Sequence, residues 1–328
     1  MSRKQQQRKK KILFLLLITV LLLACAVFLV AKYVRQEQNV SFHESTREDT
    51  IPYDGKEYRY NDHLSNYLFL GIDTREIEKE DAGRTYAGQA DAIFLVSLDR
   101  AKMTLQCLVI PRDTITRIES FTPDGVSLGF MDSHINLQYA LGDGREKSCE
   151  LMRDAVSNML YGVPIQGYCA LSMEGIPTAV DVIGGVELTV PDDSLEKINP
   201  EISEGAEVLL TKENAEQFVR YRDTNVSQSA LVRSDRQKVF LKAFARKAHS
   251  VYETDPSMVG DLYEKVQDYM VTNMSNDLFV KLLEASDGSE KNIQTLPGKG
   301  LDDGEYDVYN INDEELYTLI LQMFYVEV

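Results

Sequence analysis

The chain has 328 residues and a formal net charge of −17, with 35 Lys and Arg against 52 Asp and Glu. A protein this acidic is repelled as a whole by nucleic acid, which argues against a DNA- or RNA-binding role. Its four cysteines, Cys25, Cys107, Cys149 and Cys169, have neither zinc-site spacing nor the density of a disulfide scaffold.

The first predicted element is a membrane anchor. Residues 1–11 carry six basic side chains, and residues 12–31 are uncharged and almost wholly apolar. At a rise of 1.5 Å per residue, a helix over 12–31 matches a hydrocarbon core about 30 Å thick. A basic flank stays on the cytoplasmic side, so the expected location is the cell membrane, single-pass, N-terminus cytoplasmic and everything after the anchor extracellular. A cleaved signal peptide has a shorter apolar region and an Ala-x-Ala-like site, which is lacking here. Leu22-Leu23-Ala24-Cys25 loosely resembles a lipoprotein processing site, but the apolar run continues through Val30. Without the six cytoplasmic cations, 29 Lys and Arg face 52 Asp and Glu outside, a net of −23. An anionic ligand must therefore meet a local basic cluster within an acidic envelope. With Cys25 in the membrane, the outer part can form at most one disulfide, and three unpaired small apolar residues is the simpler reading.

Residues 32–61 are polar and without periodicity, and read as an extracellular stalk. The globular pattern begins at residue 62. Tyr67–Ile72, Ala92–Leu98 and Met103–Ile110 are short apolar runs expected as strands, the last two joined as a hairpin through Asp99-Arg100-Ala101-Lys102. A helix near Cys149–Leu160, strands near Ile165–Leu171 and Val186–Val190, and helices near Thr211–Val219 and Ser229–Ala248 follow. Strands interleaved with helices predict an α/β fold, a single mixed sheet covered by helices over residues 62–250. Residues 251–328 are expected to extend that domain with further helix and a short strand or two.

Polar residues punctuate the strand ends. Asp73 and Arg75 follow the first strand, Asp91 opens the second, and Arg112 and Asp113 follow the third. Neighbouring strands would bring these loops to one edge. Paired carboxylates such as Asp73 and Asp91 suit a hard divalent cation; equally, Asp after a strand is an ordinary turn residue. Arg220 and Arg222 flank Tyr221, so an extended backbone points both guanidiniums to one side. Arg233, Gln237, Phe240 and Phe244 lie on one helical stripe, and the aromatics turn that stripe inward. An inward arginine needs either a structural carboxylate or an anionic ligand, and converging guanidiniums are what a diphosphate requires.

The order of short motifs resembles a LytR-CpsA-Psr domain. The matching segments are Gly71-Ile-Asp73-Thr-Arg75, Gly88-Gln-Ala-Asp91-Ala-Ile, Ile110-Pro-Arg112-Asp113-Thr114, and His134-Ile-Asn136 with Tyr139-Ala140. Asp181-Val-Ile-Gly-Gly-Val-Glu187, Val219-Arg-Tyr-Arg222 and Arg233-x-x-Arg236-Gln237 complete the set, which covers roughly residues 62–250. The resemblance implies a membrane-anchored, Mg2+-dependent enzyme that transfers a glycopolymer phosphate from a polyprenyl-diphosphate carrier to peptidoglycan. It implies that Arg75, Arg112, Arg220, Arg222, Arg233 and Gln237 hold the diphosphate and that Asp73 and Asp91 position the magnesium ion. Arg112 is the expected catalytic cation and Asp113 a candidate base, and the carrier chain would occupy an apolar tunnel between sheet and helices.

The chain departs from the family pattern at two places. Gln89-Ala90-Asp91 stands where the family usually has Arg-Ser-Asp, and His134 where it commonly has Lys. Loss of one phosphate-facing donor costs about 10²–10³ in rate. Arg84 is one candidate replacement. The alternative expectation is therefore a non-catalytic or weakly catalytic polyprenyl-diphosphate-binding regulator of envelope assembly.

Overall fold

In the computed structural model the described residues are 50–74, 88–122, 124–286, 292–302 and 306–328, and they fall into two units. Residues 1–49, with the expected anchor and Cys25, lie outside the described residues; among those described, no helix is long and apolar enough to cross a membrane.

In the small unit, β1 (Ile51–Tyr53) and β2 (Lys56–Tyr60) pair antiparallel. Asp54 and Gly55 both adopt positive φ, the geometry of a two-residue hairpin turn. Val328 N donates to Glu57 O, and Lys56 Nζ meets Glu327 at 2.7 Å within the same unit. Part of the segment expected as a stalk is this hairpin.

The large unit, residues 61–326, begins with β3 (Leu64–Ile72), β4 (Ala90–Asp99) and β5 (Thr104–Val109). A hairpin of β6 (Ile115–Phe121) and β7 (Ser127–His134) follows, then α1 (Leu137–Ala140), α2 (Glu146–Met159) and β8 (Gly167–Ser172). Next come α3 (Gly175–Val182), β9 (Val186–Thr189), β10 (Glu207–Leu210), α4 (Ala215–Arg220) and the long α5 (Ser229–Thr254). The tail contributes α6 (Met258–Val266), β11 (Met270–Thr272), α7 (Asn276–Glu284), β12 (Ile293–Thr295), β13 (Gly298–Asp302), β14 (Asp307–Ile311) and α8 (Asp313–Phe324).

Six strands form the central mixed sheet in the order β11-β8-β3-β4-β5-β12. β8 runs parallel to β3 and β12 parallel to β5, and the other neighbours are antiparallel. The runs predicted as strands form its middle: Leu68 pairs with Leu95, and Leu95 with Leu108, all fully buried. Helices α3, α4, α5 and α6 supply a second apolar cluster around Phe218, Val180 and Val186. Cys107, Cys149 and Cys169 are free and buried, and burial pushes the Cys107 and Cys169 thiols up to about 12.

The expectation of a single sheet requires correction, because ribbons β6–β7, β9–β10 and β13–β14 stand beside the central sheet. The cause at β9 is local. Gly184 and Gly185 both take positive φ, and a Cβ at Gly185 would meet Leu209 Cδ1 at 2.8 Å. This tight turn leads β9 to β10, a partner about twenty residues on, instead of into the sheet. The tail does more than extend the domain, since β11 and β12 form both edges of the central sheet.

Candidate active site

The antiparallel path β3-β4-β5 returns three chain segments to one edge of the sheet. The end of β3 delivers Asp73, the start of β4 delivers Gln89 and Asp91, and the end of β5 delivers Arg112. Backbone bonds lock them together: Asp73 N donates to Gln89 O at 3.1 Å, and Gln89 N donates to Asp73 Oδ1 at 2.5 Å. Gly88 makes that approach feasible. Its φ is +79°, and a Cβ there would lie 2.2 Å from Thr74 Cγ2 and 3.1 Å from Asp73 Oδ1.

Asp91 is the hub. Its Oδ1 accepts from Arg112 Nη1, and its Oδ2 accepts from Arg233 Nη1 at 2.7 Å. Arg112 also donates through Nη2 to Gln89 Oε1 at 2.7 Å and through Nε to Asp113 Oδ1 at 3.1 Å. Asn136 Nδ2 donates to the same Gln89 oxygen at 2.9 Å. Gln89 thus gives the guanidinium of Arg112 a neutral acceptor.

Arg233 is only 3% exposed, yet its Nε and Nη2 have no hydrogen-bond partner. Burial first, and then the nearby Arg222, pull its pKa down to about 10, so it remains a cation at neutral pH. Burial also lowers the Arg112 pKa, against the pull of Asp113. Asp91 compensates its charge, but the two unfilled donors remain a desolvation cost in the free protein.

These side chains line a cleft of about 680 Å³ whose wall includes Asp73, Gln89, Asp91, Arg112, Arg220, Arg222 and Arg233. With Lys212, five cations therefore line one cleft of an acidic protein, the local cluster that an anionic ligand requires. A second, apolar cavity of about 330 Å³ lies between sheet and helices, lined by Phe69, Phe94, Leu171, Phe240, Phe244 and Phe279 among others. Asp91, Met173, Arg220 and Arg233 line both spaces. The cavity passes over Gly71 and its cross-strand partner Ala92, two small residues that leave room in mid-sheet.

Among the sequence-predicted residues, Asp73, Asp91, Arg112, Arg220, Arg222 and Arg233 come together on the cleft wall. Gln237 lines the apolar cavity, and its Nε2 donates to Val219 O at 3.0 Å. Asp113 does not line the cleft; its carboxylate holds Arg112. His134 lies in β7, paired with Ile115 and edge-on to Tyr306, and does not line the cleft. Arg75 and Arg84 lie outside the described residues. Residues given no role from sequence include Asn136, Met173, Glu213 and Glu216, although Asn136 stood within a quoted motif.

The Asp73–Asp91 pair has the donor chemistry for Mg2+. That ion commonly takes one or two carboxylates and completes its shell with water and substrate phosphate. Asp73 Oδ1 accepts from Gln89 N, and both oxygens of Asp91 accept from guanidiniums, so a cation there would share these carboxylates with Arg112 and Arg233. Among the described residues no group of three or more His, Cys, Asp or Glu is placed to hold a metal, so these two would act as a pair.

Comparison with known proteins agrees with this architecture. The LytR_cpsA_psr family model matches residues 29–323. The polyisoprenyl-teichoic acid–peptidoglycan teichoic acid transferase TagU of Halalkalibacterium halodurans is 28% identical over 229 residues, 70% of this chain and 67% of that protein. TagV of Bacillus subtilis, named for the same transfer, is 27% identical over 241 residues, 72% of this chain but 56% of its own length. The crystal structure of B. subtilis TagV superposes with a TM-score of 0.61 at 24% identity, covering 80% of this chain and 97% of that one. The structure of TagT bound to LI-WTA gives a TM-score of 0.58 at 22% identity, covering 80% and 90%. At these identities the superpositions establish the fold.

Proposed function

This chain belongs to the LytR-CpsA-Psr family, and we propose that it transfers a glycopolymer phosphate from a polyprenyl-diphosphate carrier to peptidoglycan. One observation carries the reading: Arg233 presents two buried, unfilled donors where a cationic cleft opens onto an apolar cavity. A polyprenyl diphosphate has both matching parts, an anionic head and an apolar chain. The relatives' names supply the donor and acceptor kinds.

In this reading the apolar cavity takes the first isoprene units, and Arg112, Arg220, Arg222 and Arg233 surround the diphosphate, with Arg75 joining them as the family resemblance implies. Asp73 and Asp91 hold Mg2+, which would supply further neutralisation of phosphate charge. An acceptor hydroxyl attacks the phosphorus that carries the glycan, the bond to polyprenyl phosphate breaks, and the hydroxyl proton passes to the departing phosphate. Catalysis in such loose transition states rests on positioning and charge neutralisation. Asp113, whose carboxylate meets Arg112 Nε, sets that guanidinium. The apolar segment 12–31 tethers the domain on the outer face of the cell membrane, where the carrier is presented.

The test is release of polyprenyl phosphate by the full-length protein, supplied with a polyprenyl-diphosphate-linked saccharide, peptidoglycan and Mg2+. Turnover that falls about 10²–10³-fold in Arg233→Ala is expected. Absence of release by the unaltered protein contradicts the reading.

A further inference from the structure

The C-terminal carbonyls of a helix have no partner within it and must be satisfied from elsewhere. At the end of α4 they are satisfied largely by side chains of α5. Phe218 O accepts from Arg236 Nε at 2.5 Å, Val219 O from Gln237 Nε2 at 3.0 Å, and Arg220 O from Arg233 Nη1 at 3.5 Å. Tyr221 O accepts from Arg236 Nη2. The third nitrogen of Arg236, Nη1, reaches Ser194 Oγ at 2.5 Å and Asp192 Oδ1 at 3.4 Å.

Arg236 is the largest fully buried side chain among the described residues, and it lines neither the cleft nor the apolar cavity. Arg233, one turn earlier, has donors to spare, whereas every nitrogen of Arg236 is engaged within the protein. The segment it grips is the one that ends α4 and carries Arg220 and Arg222.

We propose that Arg236 is a positioning residue for phosphate recognition. Its guanidinium clamps the end of α4 to the Asp192–Ser194 loop, and so aims Arg220 and Arg222 into the cleft. The inference rests on the reading of that cleft as a diphosphate site. A planar fork serves two carbonyls and a hydroxyl in fixed directions at once, which the single ammonium of Lys does not. Displacement of a binding group by about 1 Å is enough to lower turnover about 10²-fold.

The test uses the full-length protein with Arg236→Lys, and Ser194→Ala as a milder variant that loosens only the loop side. Inorganic pyrophosphate affinity and the kcat and KM for a prenyl-diphosphate saccharide are measured, each with and without the pair Arg220→Ala and Arg222→Ala. Arg236→Lys is expected to lower pyrophosphate affinity and kcat/KM about 10²-fold. In the background lacking both arginines the same change should cost less than about threefold, because the groups it aims are gone. Equal losses in both backgrounds overturn the proposal, since they are the mark of a merely structural cation. Amide hydrogen exchange separates this outcome from failure of the site reading. If the unaltered protein binds no pyrophosphate, the diphosphate reading fails, and faster exchange at residues 219–223 in Arg236→Lys, with α5 unchanged, still supports the clamp. Unchanged exchange there overturns it. If Arg236→Lys does not fold, Ser194→Ala carries the test with the same signs and smaller changes.

Discussion

The polar cleft is walled by the ends of strands and helices, and the apolar cavity mostly by their interiors. Asp73, Gln89, Asp91 and Arg112 sit at strand termini and Arg220 at a helix terminus, whereas Phe94, Phe240 and Phe244 lie well inside β4 and α5. Chain ends are where backbone and charge can be presented to a ligand without breaking a ladder; interiors offer only surface and space. The difference assigns head-group chemistry to one region and chain length to the other, and Arg233, shared by both, is where they meet.

The largest effect should follow from removing that shared residue. Arg233→Met is expected to cut transfer about 10²–10³-fold, measured as polyprenyl phosphate release. The same change should abolish the rise in melting temperature that pyrophosphate gives the unaltered protein, since the unfilled donors that would meet the anion are gone. A cation whose folded pKa is lowered to about 10 weakens the fold while charged, so its cost is full at neutral pH and fades as pH rises past about 10. A pyrophosphate-induced rise that persists in Arg233→Met would break the comparison at its centre.

A smaller, one-sided effect is expected in the cavity. Ala92→Leu fills space beside Gly71 and should weaken a long-chain prenyl diphosphate by about 1–2 kcal/mol, while pyrophosphate affinity stays unchanged. Parallel loss of both would show that the two regions are not separable. Within the cleft, Gln89→Arg tests the departure from the family pattern. Gln89 Oε1 accepts from both Arg112 and Asn136, so a guanidinium there removes an acceptor and adds a like charge. A loss of a few-fold in turnover is expected, on the order of 1 kcal/mol. A gain, with or without His134→Lys, would favour the non-catalytic binder instead.

The two regions were not equally legible in the sequence. Asp73, Asp91 and Arg112 could be found because each interrupts or closes an apolar run, and the hairpin of β4 and β5 put two of them on one edge. Arg233 was marked by the stripe it shares with Phe240 and Phe244. The cavity has no comparable local sign, because it is the space left over Gly71 and Ala92 once α3, α5, α6 and α7 pack above the sheet. The role of Arg236, a residue that stands within a quoted motif, was hidden for a related reason. A buried charge is recognisable only when its partners, here carbonyls of α4 and a loop some forty residues earlier, are already in place. The ribbon β9–β10 escaped because two glycines with positive φ, and not the apolar pattern of β9, decide which partner it meets.

The most direct test of the account is a structure of the protein with a short-chain prenyl diphosphate and Mg2+. The phosphates should accept from Arg233 Nε and Nη2, beside the pair Asp73 and Asp91, with the chain running between Phe94 and Phe240 over Gly71 and Ala92. A diphosphate bound away from Arg233, or a chain lying outside the cavity, would contradict it.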